Sequence, residues 1–273
     1  MLPELPTSQV IRTLESWLLA FGAACLWGGG QMVSGEHPFA CLAGISDTST
    51  WFCEIWSTDA RAAGALERAV NLNQMCEAAG YGEPAAAVSL FAVGNGLGRL
   101  MIGPLSDLSH RKRVFPRPAW HCLCSLLMAA AHAILALATE AQGLYLGVFL
   151  VGGAFGAMFT LDVVVISELY GLKHHGSNYM LFNGVTSVFG TLGVAKYITQ
   201  SVYASHIEEA GERACHGQGC FALTHWIVAG MCCLAVLSQA VVAYRTRALY
   251  GRIWRQQAAA MRARGVSNEE NGT

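Results

Sequence analysis

Charged residues are scarce in this 273-residue chain, of which only 13% are Asp, Glu, Lys or Arg. An ordinary soluble domain carries roughly 25%. Since 53% of the residues are hydrophobic, too little polar material remains to cover a soluble globule of this size. The formal net charge of −1 removes the electrostatic reason to expect nucleic-acid binding, so no nucleic-acid partner is predicted.

The chain also lacks the cysteine density of a disulfide scaffold and a recognisable secretory signal. Ten cysteines in a chain of this length are too sparse for a disulfide scaffold, and several lie inside apolar runs. No cleavable secretory signal is apparent, because residues 1–15 lack a basic region and the apolar run from Ser16 meets no convincing cleavage site. That run is interpreted as a first membrane helix, preceded by a cytosolic segment at 1–15.

Long apolar runs are what the chain has instead of charge. A helix needs about 20 mainly apolar residues to cross a bilayer, and six segments approach this requirement. They are 16–33, 85–105, 119–138, 144–166, 179–202 and 223–244. The sequence therefore predicts an all-α, multi-pass integral membrane protein in which a six-transmembrane-helix bundle spans 16–244. A basic cytosolic tail follows at 245–273, and the kind of membrane is not indicated.

Basic residues are distributed unevenly between the two predicted sides. If the chain starts in the cytosol and alternates sides, 12 of its 17 Lys and Arg residues fall on inner segments and 3 on outer ones. This bias follows the positive-inside rule. It predicts that both termini and the 106–118 loop face the cytosol.

Glycines recur at a spacing of four on two predicted spans. Gly94 and Gly98 lie on the second span, and Gly152 and Gly156 lie on the fourth. Small residues at this spacing let helices approach closely in lipid. The run at 94–98 does not predict a dinucleotide site, because no strand precedes it and the full glycine pattern is missing.

The loop after the second span, residues 103–113, is similar to the signature of the major facilitator superfamily. It departs from that signature at Leu108 and His110, where Arg and Gly are usual. The matching positions are Gly103, Asp107, Lys112 and Arg113. In that superfamily the signature lies between the second and third spans of each half, on the cytosolic side, which agrees with the topology predicted here.

Three further stretches, at 96–99, 167–179 and 215–221, resemble the nodulin-like, nuclear-fusion-defective type of this superfamily. The resemblance covers most of residues 8–33 and 71–255. It implies the C-terminal six-helix half of a twelve-helix transporter that moves a small solute by alternating access. It also implies no enzyme activity, no cofactor and no bound metal.

The pattern occurs once in the chain, so the resemblance implies that a homodimer, a second six-helix half or a missing N-terminal portion would complete a transporter. The alternative is a truncated, non-transporting membrane protein or partner subunit. Residues 34–70 have no place in the pattern, and both an exoplasmic loop and a retained intron or faulty gene model stay open for them.

The resemblance also implies a charge network that holds the inner gate. Its expected acidic members are Glu168, at the end of the fourth span, and Asp107 of the signature loop. A solvated loop with incidental acids is the alternative. The full predicted set is Gly103, Asp107, Arg111, Lys112, Arg113 and Glu168.

Polar groups at membrane depth are costly and often functional. Arg99 either extends its long side chain to the inner surface or pairs with Asp162, which would reduce the desolvation cost of both. Asn95 and Asn183 are weaker candidates for lining a pore.

Histidines and cysteines complete the set of reactive residues. His132 and His225 are interpreted as hydrogen-bonded packing residues, because they belong to no cluster with zinc-ligand spacing. Cys215 and Cys220 lie on the predicted outer side, where oxidation is allowed at a cell surface. A disulfide between them is favoured over metal binding through His216.

Overall fold

A computed structural model of the chain describes residues 4–34, 71–112, 116–210, 217 and 219–270. Arg113, Cys215 and all of the predicted insert except Ser34 lie outside these ranges. Within them, every regular element is a helix. The helices are α1 (Thr7–Val10), α2 (Leu14–Ser34), α3 (Asn71–Ala79), α4 (Pro84–Lys112), α5 (Pro118–Leu137), α6 (Ala141–Tyr170), α7 (His175–Ser187), α8 (Thr199–Ala210) and α9 (Gly219–Glu270).

Four of these helices are long and apolar enough to cross a membrane. They contain the segments Pro84–Ser109, Pro118–Leu137, Ala141–Tyr170 and Gly219–Gln256. These segments include the second, fourth and sixth predicted spans, and all of the third except Ala138. The predicted spans 16–33 and 179–202 are also helical, but their crossing of a membrane, and with it the count of six, stays a prediction.

Local chemistry sets two of the helix boundaries that matter for function. Pro118 opens α5, a position where its missing N–H costs nothing and its fixed φ angle suits a helix. Gly171 follows α6 with a φ of 87°, a left-handed conformation that glycine adopts without a steric penalty. Residues just outside these boundaries, such as Arg117, therefore stand at the same end of the bundle as the last turn of α6.

Helices α4 and α6 approach so closely that their backbones touch, as the glycine spacing indicates. A Cβ atom on Gly94 or Gly98 would overlap a backbone carbonyl of α6, and one on Gly152 or Gly156 would overlap a carbonyl of α4. The carbonyls concerned belong to Phe149, Gly153, Phe91 and Asn95. We call these four glycines the glycine seam. Close approach of this kind favours small residues at helix contacts in lipid.

The stretch between α7 and α8, Val188–Ile198, is π-helical over 11 residues. It packs against α2, where the Trp27 indole N–H donates to the Thr191 hydroxyl at 3.0 Å. A Cβ on Gly190 would lie 2.8 Å from the backbone nitrogen of Gly28, so these two helical segments also approach closely. π-helical turns are rare and often occur at functional sites.

The buried core consists of two clusters. The larger one joins α2, α4, α5, α6 and α9 through the middle of the bundle. The smaller one lies at the end of the bundle that is predicted to face the cytosol, which we call the inner end, and it includes Leu19, Ile166, Tyr170 and Tyr250. The inner end, where α2, α6 and α9 meet, is therefore a packed region rather than an open loop cluster.

Candidate functional site

Three charged side chains meet where α4, α5 and α6 end together. The guanidinium of Arg117 bonds the carboxylate of Asp107 and the carboxylate of Glu168. The Arg117 and Glu168 side chains are only 10% and 12% exposed, whereas that of Asp107 is 55% exposed. We call this group the inner charge cluster.

The stability of the cluster depends on the buried pair of Arg117 and Glu168. Removing a charge from water costs several kcal/mol, and a close, hydrogen-bonded partner of opposite sign offsets much of that cost. Arg117 and Glu168 need each other for this reason. Asp107 is half exposed, so water can solvate it when Arg117 moves away. The cluster is thus one tight pair with a second, looser acid.

The structure joins two of the predicted network residues, Asp107 and Glu168, through a cation outside the predicted set. Arg117 supplies the charge that was expected from 111–113. Arg113 and the side chains of Arg111 and Lys112 lie outside the described part of the chain. Gly103 faces Thr160 of α6, and a Cβ on Gly103 would meet that side chain at 3.9 Å, an ordinary contact distance. Close approach therefore does not demand glycine there.

Arg117 had a recognisable signal in the sequence. It directly precedes Pro118, and a proline in that position indicates the first turn of a helix. A residue before that turn lies at the inner end of α5, beside the last turn of α6. Sequence reasoning counted Arg117 only as one more basic residue of the loop.

A second polar group lies deeper, along α4 and α6. The Arg99 Nε donates to the Asn95 side-chain oxygen at 2.9 Å, and its guanidinium carbon lies 4.5 Å from the centre of the Phe159 ring. Asn95 and Arg99 therefore form one polar patch on α4, backed by an aromatic ring of α6. Arg99 is exposed on the outside of the described helices.

The predicted pairing of Arg99 with Asp162 does not occur among the described ion pairs. Asp162 instead lies beside His121 of α5, with 3.3 Å between the carboxylate oxygen and Nε2. His121 is 1% exposed and was missed by sequence reasoning. Asn183 is half-buried on α7, and its backbone carbonyl accepts a hydrogen bond from Thr186 at 3.2 Å.

An N-terminal strap, residues 4–13, covers the connection after α6. The fully buried Asn178 donates from Nδ2 to the Leu5 carbonyl at 3.1 Å and accepts from the Thr7 hydroxyl at 2.8 Å. The Lys173 N–H donates to the Glu4 carboxylate at 2.8 Å. The stretch 167–179 therefore anchors the strap as well as contributing Glu168 to the inner charge cluster.

Cys220 is the second residue of α9, is buried, and is disulfide-bonded. The six other described cysteines are free, so its partner lies outside the described residues. Pairing with Cys215 stays a prediction. Among the described residues, no group of three or more His, Cys, Asp and Glu side chains is arranged to hold a metal ion.

Long apolar helices with closely packed backbones define an integral membrane protein. The family model described as "NFD4, C-terminal domain" matches residues 55–252, and the chain belongs to that family. The matched region contains α3 to α8, most of α9, and all three residues of the inner charge cluster. It begins within the predicted insert at 34–70 and does not include α2.

Two curated fungal relatives are named as probable transporters. The "Probable transporter mch1" of Neurospora crassa is 27% identical over 187 residues, which cover 54% of this chain and 30% of that protein. The "Probable transporter MCH1" of Gibberella zeae is 24% identical over 170 residues, which cover 52% of this chain and 30% of that protein. The chain thus spans about 30% of the length of each relative. No solved structure matches it.

Proposed function

We propose that the chain carries a small solute across a membrane, as one six-helix half of a major-facilitator-type transporter that works by alternating access. The observation that carries this proposal is the inner charge cluster, in which one buried cation bonds acids from two helices. Family membership and the names of the two relatives support the transport role.

The cluster suits a gate because its bonds can be exchanged. Gates open by switching between a few discrete packing arrangements. The interactions that hold a gate closed must therefore be stable in one state and must be replaced by others in the second state. Arg117 has two acids within reach, and Asp107 is exposed enough to be solvated. In this proposal the ion pairs of the cluster hold the loop at 106–118 against the end of α6 in one state, and they break in the other state.

The polar patch on α4 supports a shared path between two halves. Arg99 is exposed among apolar neighbours such as Leu97, Leu100 and Met101, which are 45%, 72% and 55% exposed. A cation on a lipid-facing surface is unfavourable, so a second half or a second copy would cover this face. Arg99 and Asn95 would then face the solute, and the positive charge favours a small organic anion.

The test is uptake by the purified 273-residue chain in liposomes, measured with a panel of small organic anions beside subunit counting by single-molecule bleaching. A path formed between two halves predicts saturable uptake in particles that bleach in two steps, or in particles that also contain a second half. Particles that bleach in one step and contain no second half are expected to be inactive.

Saturable uptake by single-copy particles would contradict the half-transporter proposal. Absence of uptake both from two-copy particles and from particles that contain a second half would favour a non-transporting membrane protein instead.

A further inference from the structure

Two histidines lie ring to ring in the packed interior, outside the inner charge cluster. His132 of α5 and His225 of α9 are 0% and 1% exposed, and their Nδ1 atoms are 2.9 Å apart. The sequence interpretation of both as hydrogen-bonded packing residues did not foresee that each is the other's partner. Such a pair carries ionisable groups into the apolar core, where an unneeded polar group is costly.

The distance between the two nitrogens fits a shared proton better than a bridging metal ion. At 2.9 Å, two imidazole nitrogens share one proton in an N–H···N hydrogen bond. A zinc ion bonds histidine nitrogen at about 2.0–2.1 Å, and tetrahedral geometry would hold two such nitrogens roughly 3.3 Å apart or more. The arrangement therefore fits a proton and is too tight for a bridging metal.

One side of the pair is closed by α2. A Cβ atom on Gly29 would lie 2.9 Å from Nε2 of His132 and 3.3 Å from the sulfur of Met128. The Nε2 atom of His132 is buried with no side-chain partner among the described residues. A proton from water therefore has no described route to His132 from this side.

The other side of the pair opens into a cavity. His225 lines a small, open cavity of about 30 Å³, together with Tyr81, Leu135, Phe221 and Ala222. This cavity lies at the end of the bundle that is predicted to face outward. Among the described residues that line it, His225 and Tyr81 are the titratable side chains. The phenol of Tyr81 is only a weak acid, and no carboxylate is present among the described residues of this lining. Water that enters the cavity can therefore reach His225.

Other titratable groups around the pair do not neutralise it. Those on the surrounding elements include Cys25 on α2, Cys76 on α3, Tyr81 before α4, Tyr145 on α6 and Cys232 on α9, none of which is an acid of ordinary carboxylate strength. The carboxylate of Asp162 on α6 lies 3.3 Å from His121, which is eleven residues before His132 on α5. The carboxylates of the outer end, Glu77, Glu83 and Glu140, are exposed, where water solvates them.

We propose that the His132–His225 pair is a proton-binding site that is reached from the outer side through this cavity. In the resting, neutral pair, His225 carries its proton on Nδ1 and donates it to Nδ1 of His132, while the ring proton of His132 is on Nε2. An additional proton, taken from water in the cavity, adds to the free Nε2 of His225. The resulting imidazolium donates its Nδ1 proton to neutral His132, and the hydroxide ion returns to bulk water. The site uses no residue of the inner charge cluster and does not depend on transport.

The test is nitrogen NMR of the full chain, labelled at histidine and held in lipid nanodiscs, from pH 8 to pH 4. The loss of signals in His132→Asn and His225→Asn identifies the two rings. We expect a scalar coupling across the N–H···N bond at high pH and one common midpoint for both rings. Rings that titrate at separate midpoints, or that do not titrate while the other histidines do, would overturn the proposal.

A second measurement does not depend on whether the histidine variants fold. Ala222→Phe fills the cavity, whereas Leu223→Phe changes the neighbouring residue, which is 51% exposed and points outside. We expect exchange of the shared proton with water to slow severalfold in Ala222→Phe and to stay unchanged in Leu223→Phe. Equal exchange rates in both variants would exclude the cavity as the route. Zn²⁺-induced shifts of both rings at neutral pH would show a metal site and overturn the proposal.

Discussion

The glycine seam and the inner charge cluster join the same two helices, α4 and α6, by opposite means. The seam has no side chains, and its backbones touch along four glycines. The cluster consists of three charged side chains, two of them buried. Backbone packing cannot be exchanged for another partner, whereas an ion pair can. The comparison indicates that the seam is permanent and that the cluster is the part able to switch.

The largest expected effect is on the cluster, when its cation is removed. Arg117→Leu leaves Glu168 buried without a partner, which costs about 3–5 kcal/mol when one member of a buried pair is lost. We expect a large fall in thermal stability, measured by fluorescence-detected size exclusion in detergent. Arg247→Leu is the control, because Arg247 contacts the Tyr244 ring at 4.0 Å and belongs to no described ion pair.

The double variant Arg117→Leu with Glu168→Leu sharpens this result. Replacing both partners of a buried ion pair by apolar residues is often neutral for stability. We therefore expect most of the lost stability to return, since the remaining acid, Asp107, is half exposed. A double variant no more stable than Arg117→Leu would show that the buried pair does not explain the loss.

The next effect concerns the seam. Gly156→Leu forces a side chain against the Asn95 carbonyl, and overpacking of this kind costs roughly 1–3 kcal/mol or more. Gly96→Leu is the matched control on α4, because a Cβ there meets nothing within 4 Å. We expect a lower melting temperature for Gly156→Leu alone, by the same size-exclusion assay. Equal melting temperatures would contradict the seam.

The side of the membrane on which the cluster lies can be tested by chemical labelling. The 106–118 loop is predicted to face the cytosol, and Ser109 is partly exposed. A membrane-impermeant thiol reagent should give no extra labelling of Ser109→Cys from outside intact cells, relative to the parent chain. Glu140→Cys, at the opposite end of the bundle, should gain labelling. The reverse pattern would show that the predicted orientation is wrong.

The smallest effect concerns the exposed pair between Glu15 and Arg245, which are 2.7 Å apart. Burial raises the pKa of Glu15, but hydrogen bonds from its own backbone and from Arg245 outweigh this and leave the pKa below its ordinary value of 4.5. The pair therefore stabilises the fold above pH 4.5, and this contribution is lost as the pH falls through the folded pKa.

Glu15→Gln should therefore cost about 0.2–1 kcal/mol at pH 7, as for other exposed pairs. The difference in melting temperature from the wild type should shrink as the pH falls below 4.5. A difference that is constant with pH would exclude the carboxylate as its source.

The sequence alone predicted the features that depend on a local pattern of residues. Apolar runs indicated six membrane helices, of which four are long and apolar enough to cross a membrane in the structure. Glycine spacing indicated the close approach of α4 and α6. Signature resemblance indicated two acids of the inner charge cluster. Each of these signals is contained in a few neighbouring residues, so no knowledge of the packing is needed.

The sequence did not predict the features that depend on how the helices rotate and cross. The sequence offers four basic residues between 111 and 117, and it is the packing of α5 on α6 that brings Arg117 into the cluster. Pairing of Asp162 with Arg99 was one of two alternatives, but the rotation of α6 turns Asp162 toward His121. The His132–His225 pair joins residues 93 positions apart, and no spacing rule links them.

The measurement that tests the central claim most directly is uptake by the transport-competent assembly carrying Asp107→Asn or Glu168→Gln, beside the surface abundance of each variant. If the inner charge cluster is an ion-pair group that breaks and re-forms as a gate opens and closes, uptake per assembled molecule falls in both variants by more than surface abundance does, because Asn and Gln keep the shape and lose the charge. Normal uptake per molecule in both variants would contradict the account.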